Sequence, residues 1–268
     1  MKPQAVAFDL DDTLLRDDRT LSPLTLTVLR QAAARGLRVI PASGRAKDSM
    51  LGFVRQIGCA SAFIACNGAE LYGPDGQLWT HRWLSAAFAR EVAAFAAAAG
   101  CHVQSYQGNR FYYDSDSHYA AEYARVTLLE GVRVPSLTSH QTFPTPKMLM
   151  IDSEERIAQL LAEARTRFGG RASVSCSKPT YLEINPPEAT KGRALEALSV
   201  RLGFSLSETV AFGDGLNDLT MLTAAGLGVA VANARPEVKA LANDVCLSNQ
   251  ADGVAHYLDS LLRKEAEA

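Results

Sequence analysis

The chain of 268 residues is missing several things, and each absence removes a class of function. It has no excess of positive charge. With 27 Lys and Arg against 29 Asp and Glu, its formal net charge is −2, unlike the basic footprint of a nucleic-acid binder. It has no apolar run long enough to span a bilayer; the longest, Ala86 to Ala99, is broken by Arg90 and Glu91. The opening Met1-Lys2-Pro3-Gln4 shows no signal-peptide pattern, so a cytoplasmic location is expected. Cys59, Cys66, Cys101, Cys176 and Cys246 are an odd set without C-x-x-C spacing, which points to reduced thiols. His81, His102, His118, His140 and His256 have no metal-ligand spacing and read as surface or cap residues. A nucleotide-cofactor dehydrogenase needs G-x-G-x-x-G after its first strand, and that motif is absent there. A D-x-D-x-D-G calcium loop is absent as well. What is left is 47% hydrophobic and 21% charged, enough for ordinary cores.

What is present centres on Ala7-Phe8-Asp9-Leu10-Asp11-Asp12-Thr13. An apolar strand from Ala5 to Phe8 runs into two carboxylates two residues apart, Asp9 and Asp11. On an extended segment such side chains point the same way. Like charges so placed resist joint ionisation unless a cation or a shared proton intervenes. A divalent metal beside a carboxylate nucleophile answers that pattern.

The chain then alternates. Ser22 and Pro23 open a helix as N-cap and first residue. Arg38 to Ala42 reads as a strand ending at Ser43-Gly44-Arg45, Lys47 to Ile57 as a helix, and Ala62 to Cys66 as a strand ending at Asn67-Gly68-Ala69. This is the rhythm of a parallel sheet with crossover helices, whose ligands sit beyond the carboxyl ends of the strands. Residues 84–186 break the rhythm with hairpins and helices: His118 to Glu130 as a helix, then a Pro-containing loop, with Lys147 to Ile151 and the pair Ala172 to Cys176 and Tyr181 to Ile184 as strands. From Thr190 the α/β pattern resumes, with Lys191 at a helix start and Gly213-Asp214-Gly215 after a strand. The last helix is expected over Asp252 to Leu262, followed by a charged, frayed tail, Arg263 to Ala268. The expected architecture is α/β: a Rossmann-like parallel-sheet core over 1–83 and 187–268, with an inserted mixed α+β cap over 84–186.

A phosphate dianion beside these carboxylates calls for Mg²⁺, a hard cation held by one or two carboxylates plus substrate. Asp9 and Asp214 are the carboxylate ligands, each at a strand end. Lys191 supplies a point charge and Ser43 a hydroxyl donor. Backbone amides around Gly44 and Asp12 can form an anion nest. Asp9 can attack phosphorus while Asp11 carries the proton. Arg45 either contacts substrate or makes a salt bridge. In the cap, Arg110, His118, Lys147, Lys178 and Tyr181 are candidates for touching the leaving group.

Asp9-Leu10-Asp11-Asp12-Thr13 resembles the D-x-D-x-T motif of the haloacid-dehalogenase-like hydrolases. Ser43-Gly44-Arg45, Thr190-Lys191-Gly192 and Gly213-Asp214-Gly215-Leu216-Asn217-Asp218 resemble their second, third and fourth motifs. Asn67-Gly68-Ala69 and Leu182-Glu183-Ile184-Asn185-Pro186 are similar to the Cof-type subgroup, whose cap lies between the second and third motifs. The resemblance implies a Mg²⁺-dependent phosphatase of small phosphorylated metabolites, sugar phosphates among them. It makes Asp9 nucleophile and ligand, Asp11 acid/base and backbone-carbonyl ligand, and Asp214 a ligand. Ser43, Gly44, Arg45 and Asn217 would surround the phosphate, with Asp218 behind the metal. Asp12 departs from the usual Gly, but the role there belongs to its backbone amide. The expected partner is a small metabolite, not nucleic acid or membrane, for a monomer or weak homodimer. Two rivals remain: a phosphosugar mutase, which returns the phosphate to sugar, and a metabolite sensor that kept the fold.

Overall fold

The computed structural model describes residues 2–266. The first half of the core comprises β1 (Ala5–Phe8), α1 (Pro23–Ala34), β2 (Arg38–Pro41), α2 (Lys47–Ile57), β3 (Phe63–Ala65), β4 (Glu70–Tyr72) and β5 (Leu78–His81). The cap follows with α3 (Ala86–Ala98), β6 (His102–Gln107), β7 (Arg110–Tyr113), α4 (Tyr119–Thr127), β8 (Glu130–Arg133), α5 (Leu137–His140), β9 (Met148–Ile151), α6 (Glu154–Phe168), β10 (Ser173–Lys178) and β11 (Tyr181–Asn185). The chain returns through α7 (Lys191–Leu202), β12 (Thr209–Gly213), α8 (Leu219–Ala224), β13 (Leu227–Val231), α9 (Pro236–Leu241), β14 (Asp244–Cys246) and α10 (Gly253–Ala266).

The core sheet is five-stranded and parallel, in the order β14-β13-β12-β1-β2. Its middle strands are buried on both faces, which is why β1 reads as an unbroken apolar run, not an alternating one. Phe8 pairs with Phe212 on one side and Pro41 on the other. Asp9, Ser43 and Asp214 therefore leave the sheet at the same edge. β3 continues the parallel direction through a bridge between Ala42 and Ile64, then forms a small antiparallel sheet with β4 and β5. The cap carries a six-stranded mixed sheet, β10-β11-β9-β6-β7-β8, with α3 and α6 in its apolar cluster. A third cluster joins Ala46, Cys66, Ala69 and Ala189 to the cap residues Tyr106, Phe111, Tyr123, Leu149 and Ile151. Cap and core are thus packed together. Among the described residues no helix is long and apolar enough to cross a membrane.

Two stretches of the cap differ from the sequence expectation. The helix of His118 to Glu130 is shorter, because Leu128 turns left-handed (φ 60°) and closes α4 after Thr127. No glycine announces that stop. The expected loop after it contains β8, which runs parallel to β7. Its four residues lack any apolar alternation, so nothing in the local pattern marks a strand. Packing decides instead: the Phe111 ring lies over Gly131, where a Cβ would come within 2.7 Å of it. At the other end α10 runs on to Ala266, through most of the expected tail; residues 267–268 lie outside the described chain.

Candidate active site

Four loops at the carboxyl edge of the core sheet bring the motif residues together. The first follows β1. Asp9 continues the strand, its N–H donating to the Phe212 carbonyl at 3.0 Å. The chain then turns through Asp12 in the left-handed region (φ 60°, ψ 3°), a conformation glycine adopts freely and Asp tolerates. Its carbonyl is pinned by Asn233 Nδ2 at 2.6 Å, and its side chain is exposed.

Lys191, the first residue of α7, is fully buried and sits between two carboxylates, 2.5 Å from Asp9 Oδ1 and 2.6 Å from Asp218 Oδ1. The other oxygen of Asp218 accepts the N–H groups of Asp214 and Gly215, at 3.0 and 2.9 Å. Asp218 is thereby bonded at both oxygens and shapes the loop that presents Asp214. That loop needs glycine at 213, since a Cβ there would lie 2.5 Å from the Asp218 Cβ. Thr13 Oγ1 donates to Asp214 Oδ1 at 2.7 Å, a contact no sequence motif foretold.

Carboxylate oxygens of Asp9, Asp214 and Asp218 lie within 4.8 Å of one another, so this cluster could hold a metal ion. Three carboxylates against the single ammonium of Lys191 leave two negative charges uncompensated. Burial and that crowding together show in their acidities. Burial raises the Asp9 carboxyl well above its ordinary value, and the neighbouring aspartates add to the rise despite Lys191. Burial and then Asp218 push Asp214 up to about 7 against the bond from Thr13. A divalent cation relieves both, so the residues fit Mg²⁺. With Asp218 already bonded at both oxygens, Asp9 and Asp214 are the carboxylates left to face it.

The loop after β2 carries Ser43, Gly44 and Arg45. Arg45 is buried and forks Asp11, Nε to Oδ2 at 2.6 Å and Nη2 to Oδ1 at 2.7 Å, with Nη1 on Ser49 Oγ at 2.8 Å. Burial alone would raise the Asp11 carboxyl, but Arg45 outweighs it and holds the group below its ordinary value. Of the two roles open to Arg45, this structure shows the salt bridge. Ser43 Oγ accepts the Arg45 N–H at 3.2 Å.

Cap residues close the site. Asn217 Nδ2 donates to Asn67 Oδ1 at 3.0 Å, and Asn67 Nδ2 donates to Glu183 Oε2 at 2.6 Å. Glu183 also takes Lys147 Nζ at 2.8 Å, which donates in turn to the Gly44 carbonyl at 2.6 Å. Lys147, Glu183 and Asn67 are 2, 2 and 3% exposed, so this chain of bonds from the Asn217 loop to the Ser43 loop runs through the protein interior. A cavity of about 80 Å³ lies above Asp9, lined on the cap side by Tyr123, Val126, Leu149, Lys178, Tyr181 and Glu183. Of the cap candidates, Lys147, Lys178 and Tyr181 reach it. Arg110 does not, being exposed and paired with Glu130, and exposed His118 packs tilted against Tyr119 outside it. Tyr123, Val126 and Leu149 were missed. Val126 and Leu149 carry no polar chemistry, the Tyr123 hydroxyl is bonded to that of Tyr106, and only the packing of α4 and β9 aims the three inward.

Residues 6–258 match the family model of the haloacid dehalogenase-like hydrolases, and the chain belongs to that family, in its Cof-type branch. It is 32% identical over 263 residues to an HMP-PP phosphatase of Serratia proteamaculans, covering 96% of this chain and 94% of the relative. It is 28% identical over 282 residues to the phosphatase YwpJ of Bacillus subtilis, covering 96 and 99%. A haloacid dehalogenase-like hydrolase from B. subtilis superposes with a TM-score of 0.87 at 25% identity, over 96% of this chain and 99% of that one. The protein is an enzyme of the phosphatase class, as the two named relatives are.

Proposed function

We propose that the protein is a Mg²⁺-dependent phosphatase of small phosphorylated metabolites, sugar phosphates foremost, working through an aspartyl-phosphate in the cytoplasm. Residues 1–83 and 187–268 form the catalytic core in this reading, and the cap of 84–186 selects the leaving group. Nucleic acid and membrane play no part, and a monomer or weak homodimer suffices. The observation that carries the proposal is the cluster of three carboxylates around Asp9, against one buried lysine and beneath a cavity lined by both core and cap.

Asp9 and Asp214 would hold the ion, with the Asp11 backbone carbonyl as a further ligand. Mg²⁺ bound there would screen the carboxylates from the phosphate and neutralise charge building on its oxygens. Lys191 fixes the orientation of Asp9 and adds positive charge beside it. Ser43, Asn217 and the amides near Gly44 and Asp12 receive the remaining phosphate oxygens. A carboxylate oxygen of Asp9 bonds to phosphorus as the bond to the leaving oxygen breaks. Water then attacks the phosphorus of the aspartyl-phosphate and restores Asp9.

Asp11, once it has taken a proton from solvent, gives it to the leaving oxygen and later takes one back from that water. The Arg45 fork, which keeps the carboxyl ionised, has to loosen first. An incoming phosphate dianion competes for the same guanidinium and supplies the means. The test is phosphate release from a panel of sugar phosphates with Mg²⁺, by the wild type and by Asp9→Asn. Loss of turnover in a folded variant is expected, and turnover undiminished by that change or by a chelator refutes the reading.

A further inference from the structure

Among the described residues four cations reach the space around Asp9, and three of them are committed. Lys191 holds Asp9 and Asp218, Arg45 holds Asp11, and Lys147 is bonded to Glu183 and the Gly44 carbonyl. Lys178 is different. It ends β10 on the cap wall of the same cavity, half-buried, with its ammonium 5.8 Å from the centre of the Tyr181 ring. Among the described residues no carboxylate lies within ion-pair distance of it. A half-buried ammonium has given up part of its hydration, and an anion is what would restore that loss.

A second cation stands behind it. Arg19, in the loop between β1 and α1, is held left-handed (φ 63°), and its Nη1 reaches the Val126 carbonyl at 3.3 Å. It shares with Lys178 a depression that adjoins the cavity, and it too has no carboxylate partner among the described residues. Glu122 and Asp152 line that depression without coming within ion-pair distance of either cation. Lys178 lines both the cavity and the depression, and Arg19 the depression alone. The aspartates stand on the core side of the cavity and Lys178 on its cap side, which Tyr123, Val126, Leu149 and Tyr181 also line. The transferred phosphate has its own partners at the aspartate end. A charge on the cap side serves the group that leaves.

We propose that Lys178, backed by Arg19, seats a second anionic group carried on the leaving group. The preferred substrates are then phosphate esters or diphosphates whose leaving group bears its own phosphate or carboxylate. The inference rests on the phosphatase reading and narrows its substrate class. Lys178 meets the leaving group directly, as a mobile point charge able to follow either anion.

The test separates the two readings. Cleavage of p-nitrophenyl phosphate by the wild type and not by D9N secures the phosphatase by itself; no cleavage removes that reading and this inference with it. Glucose 6-phosphate, 6-phosphogluconate and fructose 1,6-bisphosphate are then read as competitors of that cleavage, in the wild type, K178M and K178R. The doubly anionic compounds should bind the wild type about tenfold or more tighter than glucose 6-phosphate, as a charge-assisted contact implies. That ratio should collapse toward one in K178M and survive largely in K178R. Preference for the bisphosphate alone identifies a phosphate seat, and preference for the gluconate alone a carboxylate seat. Equal affinity of all three for the wild type, or an equal loss for all three in K178M, overturns the proposal.

Discussion

Removing the Lys147 ammonium is the sharpest perturbation the structure offers. Lys147 and Glu183 are both 2% exposed, and their remaining bonds go across to the core, to the Gly44 carbonyl and to Asn67. In Lys147→Met the Glu183 carboxylate stays buried with only Asn67 to satisfy it, and the Gly44 carbonyl loses its donor. Breaking a buried pair from one side costs about 3–5 kcal/mol, because a charge is left without a partner. For a chain of this size that is a fall in melting temperature of about 10 °C. Glu183→Gln should cost a similar amount, as it strands the ammonium. The double variant Lys147→Met/Glu183→Gln should cost less than the two singles summed, by about 1–3 kcal/mol. Urea and thermal unfolding of the four proteins measure all of this. The magnitude also reports where the cap sits. If the cap stands open in solution, Lys147 reaches water and its loss costs no more than a surface pair, about 0–1 kcal/mol. A value in that range, with additive singles, refutes the buried bridge between cap and core.

Three further outcomes are expected. Asp11→Asn should keep much of the Mg²⁺ affinity, its proposed contact being through the backbone, while losing most turnover; calorimetric titration that shows no Mg²⁺ binding would contradict the division of roles. Gly213→Ala places a Cβ 2.5 Å from that of Asp218, so Asp218 must shift off Lys191. Overpacking of that kind costs about 1–3 kcal/mol, and an unfolding curve identical to wild type would show the loop to be slack. Burial lowers the His102 imidazole below its ordinary value of 6.5, between Ser115 and Gln104. The unfolded chain therefore takes up a proton that the folded protein refuses, and stability falls as pH drops below 6.5 until the folded group itself titrates. The slope is at most about 1.4 kcal/mol per pH unit. Melting curves at about pH 7.5 and about pH 5.5 should differ more for the wild type than for His102→Gln, and equal differences would refute the assignment.

The sequence by itself determined the parallel core and the residues that meet at its edge. Strand ends are local features: β1, β2 and β12 each stop where an apolar run meets Asp9, Ser43 or Asp214. The rule that ligands gather at the carboxyl edge of such a sheet then places those residues together without knowledge of any contact. The N-caps of Ser22, Ser85 and Thr190 are local in the same sense, since each bonds an amide three residues on. What only the tertiary structure decided depends on groups far apart in the chain. Arg45 meets Asp11, Lys147 meets Gly44, and Asn67 meets Glu183, across 34, 103 and 116 residues. No periodicity encodes such pairings, because a buried charge chooses its partner by the geometry of the closed cap and the need to satisfy every hydrogen bond there. The same holds for β8, which is a strand only because β7 offers it an edge and Phe111 a place to pack. Arg110 and Lys178 look alike in sequence, each a cation beside a hairpin turn. The fold pairs one with Glu130 at the surface and, among the described residues, leaves the other without a carboxylate partner in the wall of the site.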